Sequence, residues 1–161
     1  MRVLVAVDGS ACSTRAVKYA GEVLRTRPDV EVMVFHVLDS IPPMLREHGG
    51  SENPTMETRL RMKLRKAQQA WYKQERAIER RILKKAQTIL EDAGLDGARI
   101  QTQFGYEQNV ARNILEKARS SGYHTIVVGR HGRSGIRRLS WGGVTQGLLR
   151  NGHDLTIWVV Q

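Results

Sequence analysis

The sequence predicts an α/β fold: a five-stranded parallel sheet with helices on both faces. Three observations carry this. Short runs rich in β-branched residues recur along 161 residues. Between them lie segments whose apolar residues repeat every three or four positions. The two kinds alternate without interruption, and that order belongs to parallel sheets with crossover helices.

Residues 2–7, RVLVAV, read as a buried strand closed by the turn Asp8-Gly9-Ser10. Ser13 and Thr14 are candidate caps for a helix whose apolar side carries Ala16, Val17, Ala20, Val23 and Leu24. Residues 31–38, EVMVFHVL, form a second strand. Pro42, Pro43, Gly49, Gly50 and Pro54 make residues 39–54 a loop. A long helix follows from about Thr55 to Ala93, with Leu60, Leu64, Ala67, Trp71, Ile78, Ile82, Ala86 and Ile89 along one stripe and Gly94 as its stop. Residues 98–104, ARIQTQF, alternate in polarity and suit a strand near the sheet edge. Val110, Ile114, Leu115 and Ala118 mark a helix over 109–119. Residues 125–128, TIVV, are a buried strand, 144–149 a short helix, and 155–160, LTIWVV, the last strand. The whole reads as one domain, 1–161, with the loop and long helix at about 39–94 as an insertion.

The net charge of +10 is concentrated in two places. Residues 55–90 hold eleven Lys or Arg against three Glu. The stretch 129–143, GRHGRSGIRRLSWGG, holds four Arg, no acid and five Gly. On the helix, the plain reading is a solvated face whose long side chains lie over apolar surface. The alternative is a platform for an acidic partner or nucleic acid, centred on residues such as Lys63, Arg65 and Lys66. At about 1.5 Å per residue the helix is longer than a domain of this size needs. It therefore projects, breaks, or packs on a second subunit.

In parallel α/β sheets, ligands sit beyond the carboxyl ends of the strands where the winding reverses. That rule selects Asp8-Gly9-Ser10, the end of the second strand at His36-Val37, and the segment from Gly129 onward. GxxxxGK[ST] is absent, and so is GxGxxG after the first strand, which excludes the standard phosphate loop and the standard dinucleotide fingerprint. What remains is Gly129-x-x-Gly132, nine residues, then Gly142-Gly143 opening a helix. Bare backbone at Gly129 and Gly132 admits a close ligand. Amides at Gly142 and Gly143 face outward at a positive helix end. Arg130, Arg133, Arg137 and Arg138 supply countercharge.

These residues resemble the universal stress protein family. The resemblance covers nearly the whole chain: VAVDGS at the first strand, FHV at the second, TIVVGRHGRSGIRRLSWGGV, and the apolar closing strand. It implies a Rossmann-like sheet of the adenine nucleotide alpha-hydrolase type with strand order 3-2-1-4-5. It also implies that ATP or another adenine nucleotide, with any Mg²⁺ held mainly by phosphate oxygens, is the ligand. Carried over, Val7, Asp8, Gly9 and Ser10 would border the adenine or ribose, and Val37 the base. Gly129, Arg130, His131 and Gly132 would take ribose and phosphates, and Gly142, Gly143 and Val144 the distal phosphates. A homodimer through residues 155–160 is implied as well. The family's Ser or Thr after the third glycine is Gly143 here. Losing a charge-assisted hydrogen bond of about 1.5–3 kcal/mol weakens triphosphate binding by one to two orders of magnitude.

Plainer readings stand beside these. Asp8 can simply shape a turn, and His131 can face solvent. His36 is a packed residue, and Cys12 a small helical one. His48, His124 and His153 show no metal-ligand spacing. No general base pairs with an orienting group near the loop, so the expected role is regulatory, with at most slow hydrolysis. The N-terminus lacks a signal-peptide pattern and no apolar run approaches about 20 residues, so the expected location is the cytoplasm, without a membrane span.

Overall fold

The structure, a computed structural model, describes residues 1–38, 41–46, 50, 52–106, 109–132 and 142–161. The centre of its sheet is built from the predominantly apolar runs. Strand β1, Arg2–Ala6, has Val3, Leu4 and Val5 fully inaccessible, because helices cover both of its faces. It pairs in parallel with β2, Glu31–Leu38, on one side and with β4, Thr125–Gly129, on the other. Strand β3, Ile100–Tyr106, adds to β2, and β5, Thr156–Val160, adds to β4. The order is β3-β2-β1-β4-β5, all parallel, as expected from the sequence.

Side-chain alternation sorts the core into two layers. Val3, Val5 and Val7 pack with helix α1, Ala11–Leu24, and with the C-terminal part of α2, Pro54–Asp92. Leu4 and Ala6 pack with α3, Val110–Ser120, and α4, Gly143–Asn151. Two edges remain. On β3 only Ile100 is buried, and β5 is half-buried along Ile157–Val160.

The cap of α1 differs from the expected one. Ser10 is the N-cap, its hydroxyl accepting the Ser13 amide at 3.1 Å, while Ser13 and Thr14 lie inside the first turn and donate to the Ser10 carbonyl. Ser10 has the extended backbone a cap needs, directly after the turn, and this takes the role from the later hydroxyls. Strand β3 also starts later than expected. Gly97–Arg99 form a 3₁₀ turn capped by Asp96, whose Oδ1 accepts the Ala98 amide at 2.9 Å. The local cap wins over the polarity alternation at residues 98–99.

Helix α2 is unbroken for 39 residues, starting at N-cap Asn53. Its buried residues are Glu79, Leu83, Ala86 and Leu90, all in the C-terminal half. The expected stripe holds at Ala86 but omits Leu83 and Leu90, which take the deepest positions as the helix turns its face onto the sheet. Leu60, Leu64, Ala67, Trp71 and Ile78 are only half-buried. The N-terminal half projects, tethered by the Gln68 amide donating to the Leu45 carbonyl at 2.7 Å. No helix among the described residues is long and apolar enough to cross a membrane.

At the far end of the molecule Arg119, closing α3, donates to Asp154 in the turn before β5 at 2.9 Å and to the Asn151 carbonyl at 2.9 Å. This hydrogen bond holds the Asp154 carboxyl down to about 2. The sign follows directly: a depressed carboxyl stabilises the fold above its unfolded value near 3.8 and loses that contribution as pH falls through about 2. An NMR titration is expected to place Asp154 near 2, and Arg119→Ala should raise it toward the ordinary carboxylate range. An unchanged titration in the variant would rule out this contact as the cause.

Candidate functional site

The reversal of winding falls between β1 and β4, paired at Val5 and Val127. The chain leaves β1 at Val7, whose amide donates to the Phe35 carbonyl at 2.9 Å and whose carbonyl accepts the buried His36 Nδ1 proton at 2.6 Å. Two hydrogen bonds therefore fix the point where the strand ends. Asp8 then turns the chain, its Oδ1 accepting the Ser10 amide at 2.9 Å, and Gly9 takes φ +80°, a conformation that disfavours any side chain. Ser10 starts α1, so the positive end of that helix lies at the sheet rim.

On the other side, Gly129 closes β4. A Cβ there would lie 2.8 Å from the Cys12 carbonyl carbon and 2.9 Å from the Ser13 amide. The demand for glycine at this position thus comes from backbone of α1 packed against the strand. Arg130 continues the sheet, its amide donating to the Val160 carbonyl at 2.7 Å. Its carbonyl accepts the Gly142 amide at 3.0 Å, and the Thr145 hydroxyl donates to the Gly129 carbonyl at 3.0 Å. These bonds join the two ends of the glycine-rich segment. Arg133, Arg137 and Arg138, also considered from sequence, lie outside the described residues.

Between these elements opens a cleft of about 120 Å³. Its floor and walls are apolar: Ala6, Val7, Phe35 and Val37 from the first two strands, Val128 from β4, Val110 and Ile114 from α3. Asp8, Ser13, His131 and Thr145 supply polar groups, while Gly129, Gly132, Gly142, Gly143 and Val144 form the lip. The enclosed part is narrow and apolar, and a ligand of any length must run out over the lip.

The lip is shaped by absent side chains. A Cβ on Gly132 would lie 2.9 Å from Asp8 Oδ2, and one on Gly142 would lie 3.2 Å from the Arg130 carbonyl. Gly143 is different: a Cβ there meets nothing within 4 Å. The N-cap of α4, Gly142, brings no side-chain cap. The amides of Gly143, Val144 and Thr145 have no partner within the helix by its geometry, and they open the helix at the lip. Gly142 itself departs from the expectation of an outward amide, since its N–H is spent on Arg130.

Of the residues selected from sequence, Val7, Asp8, Val37, Gly129, His131, Gly132, Gly142, Gly143 and Val144 line this one cleft. Three do not. Gly9 faces a separate hollow of about 130 Å³ between α1 and α2, because its positive φ turns it to that side of the sheet. Ser10 is occupied as a cap, and the Arg130 backbone is committed to β5 and Gly142. Sequence reasoning missed Ser13, Phe35, Ile114 and Thr145. Thr145 follows the glycine pair directly and was within reach; the apolar wall was not, since only packing shows which core residues border a space. Among the described residues, no group of three or more His, Cys, Asp or Glu side chains is placed to hold a metal ion.

The fold and cleft define a doubly wound parallel α/β protein whose cavity lies at the topological switch point. The sequence model of the Universal stress protein family matches residues 1–154, and the chain belongs to that family. No curated protein matches it in sequence. Among solved structures it is similar to the universal stress protein UspA from Lactobacillus plantarum, at 19% identity and TM-score 0.63, covering 100% of this chain and 97% of that one. A universal stress protein from Archaeoglobus fulgidus in complex with dAMP matches at 18% identity and TM-score 0.60, covering 100% and 98%. Another, solved in complex with cAMP, matches at 21% identity and TM-score 0.65, covering 100% and 97%.

The lip makes opposite forecasts for two glycines. Gly129→Ala should destabilise the protein by about 2 kcal/mol in denaturant unfolding, because the added methyl runs into the Cys12–Ser13 backbone of α1. Gly143→Ser enters open space and should leave stability within about 0.5 kcal/mol. A neutral Gly129→Ala would show that α1 moves away from β4 at little cost.

Proposed function

We propose that this protein is an adenine-nucleotide-binding regulatory module of the stress response. The observation that carries the reading is the joining of a narrow apolar slot to a glycine lip that opens helix α4. The slot buries a planar base against Val7, Val37, Phe35 and Ile114. Asp8, beside Gly132, is placed to accept from ribose hydroxyls. The first-turn amides of α4 then meet phosphate oxygens, which suit a positive helix end. Two similar proteins were solved with cAMP and with dAMP, and their fold is the same. Both ligands are monophosphates, which suits a lip whose hydroxyl has been replaced by Gly143.

The role is binding rather than turnover. Asp8 and His131 are the titratable side chains lining the cleft among the described residues. Asp8 Oδ1 accepts the Ser10 amide and Oδ2 lies at Gly132, so the carboxylate lining the cleft is assigned to shaping the turn and holding the ribose. Hydrolysis, where it occurs, is slow. Any Mg²⁺ arrives on the phosphates. The module works in the cytoplasm as a homodimer joined along β5, whose half-buried Ile157–Val160 present an unpaired strand edge that a second copy covers. Nucleotide occupancy shifts the dimer or a partner surface, and this is the signal passed on.

Titration calorimetry with AMP, ADP and ATP tests the reading. Binding of at least one of them with a Kd below about 1 mM is expected. Gly132→Val should abolish it, since the branched side chain is driven onto Asp8. Gly143→Ser should tighten ATP binding about tenfold or more while changing AMP little, by restoring a donor to the distal phosphates. Absence of binding by all three nucleotides to the wild type would sink the proposal and leave a nucleotide-independent adaptor.

A further inference from the structure

A second concavity lies away from the nucleotide cleft, between the projecting half of α2 and the edge strand β3. It measures about 920 Å³ and is lined by Gln69, Tyr72, Lys73, Arg76, Arg80 and Tyr106, with Ala77 at its base. Ligand sites commonly run about 300–1,000 Å³, so this groove is large enough for more than one ring. Its chemistry is unusual for an idle surface. Three cations line it and no carboxylate does. Two tyrosines stand in it, Tyr72 38% and Tyr106 51% exposed, and Phe104, 42% exposed, makes an edge contact with Tyr106 at 5.2 Å between ring centres.

The exposure of these rings has a structural origin. Ile100, Phe104 and Tyr106 alternate onto the α2 side of the sheet. Ile100 is covered, but the helix leaves the sheet before it reaches the later two. Nothing in the fold requires aromatics at uncovered edge positions; polar residues there would protect the edge better. On the helix, Tyr72 is braced by Trp71, 5.2 Å away. The nearest buried acid, Glu79, faces inward, and its carboxyl is pushed up by burial against the opposing pull of Arg76 and Arg80.

We infer that this groove binds single-stranded nucleic acid, with unpaired bases stacking on Tyr72 and Tyr106 and the phosphate backbone following Lys73, Arg76 and Arg80. Exposed aromatic faces interleaved with cations are the combination that holds single strands without sequence preference. A duplex hides its base faces and would use the cations alone. An acidic peptide would use the cations and leave the rings idle. A second copy of α2 is disfavoured by charge, since eleven basic residues against three Glu over 55–90 would meet the same surplus. This inference does not rest on the nucleotide reading, because the two sites share no lining residue.

Fluorescence anisotropy with a labelled oligothymidylate of about fifteen nucleotides tests it. Binding is expected at low salt. With about −0.7 in log–log slope per neutralised phosphate, three contacts predict roughly eighteenfold weaker binding between about 50 and 200 mM salt. Tyr72→Ala should weaken binding about tenfold and Tyr72→Ala/Tyr106→Ala about a hundredfold, at unchanged salt slope. Lys73→Gln/Arg76→Gln should flatten the slope by about 1.4. AMP affinity and circular dichroism should be unaltered in all of these, which separates groove from cleft and from misfolding. The inference is overturned if the oligonucleotide does not bind below about 1 mM, or if the tyrosine variants bind like wild type. It is equally overturned if duplex DNA or polyglutamate competes as well as the single strand, which would reassign the groove to purely electrostatic partners.

Discussion

Everything at the rim follows from how closely β4 lies to the start of α1. Gly129 has no side chain, so the Cys12–Ser13 backbone rests directly on the end of the strand. That contact brings the positive end of α1, the Asp8 turn and the end of β4 into one place. The Arg130 carbonyl then captures the Gly142 amide, and the start of α4 is delivered to the same rim. A larger residue at 129 would separate these pieces, and the cleft would lose its lip before any residue lining it was altered.

The apolar slot is a by-product of two-layer packing. Phe35, Ile114 and Val128 belong to the core on the α3–α4 side. They border open space only because β1 and β4 send their connections to opposite faces, so neither connection covers the gap between them. Core residues thus gain a second use without any change in type.

Helix α2 divides into a half that belongs to the domain and a half that does not. Beyond Glu79 it is ordinary core, with Leu83, Ala86 and Leu90 under the sheet. Before it, the stripe of Leu60, Leu64, Ala67 and Trp71 is only partly covered, and the surplus of charge gathers there. The sheet is too narrow to cover 39 helical residues. The remainder is free to build surface, and with Phe104 and Tyr106 of β3 it builds a groove.

The sequence by itself determined the strands and the helices, through apolar runs and their alternation with helical periodicity, while the strand order was implied by the resemblance to the universal stress proteins. It also named most of the lip, since glycines at fixed spacing after a buried strand have few purposes. What only the tertiary structure decided was the use of each glycine. Gly129 serves α1, Gly142 serves the Arg130 carbonyl, and Gly143 serves no packing contact, although all three are written with the same letter. It decided likewise that Ser10 caps α1 in place of Ser13, that Leu83 and Leu90 lie deepest in α2, and that Tyr72 meets Tyr106 across a groove. A sequence records which side chains are missing or apolar; which neighbour fills the space depends on contacts between residues far apart in the chain, and these exist only once the layers have packed.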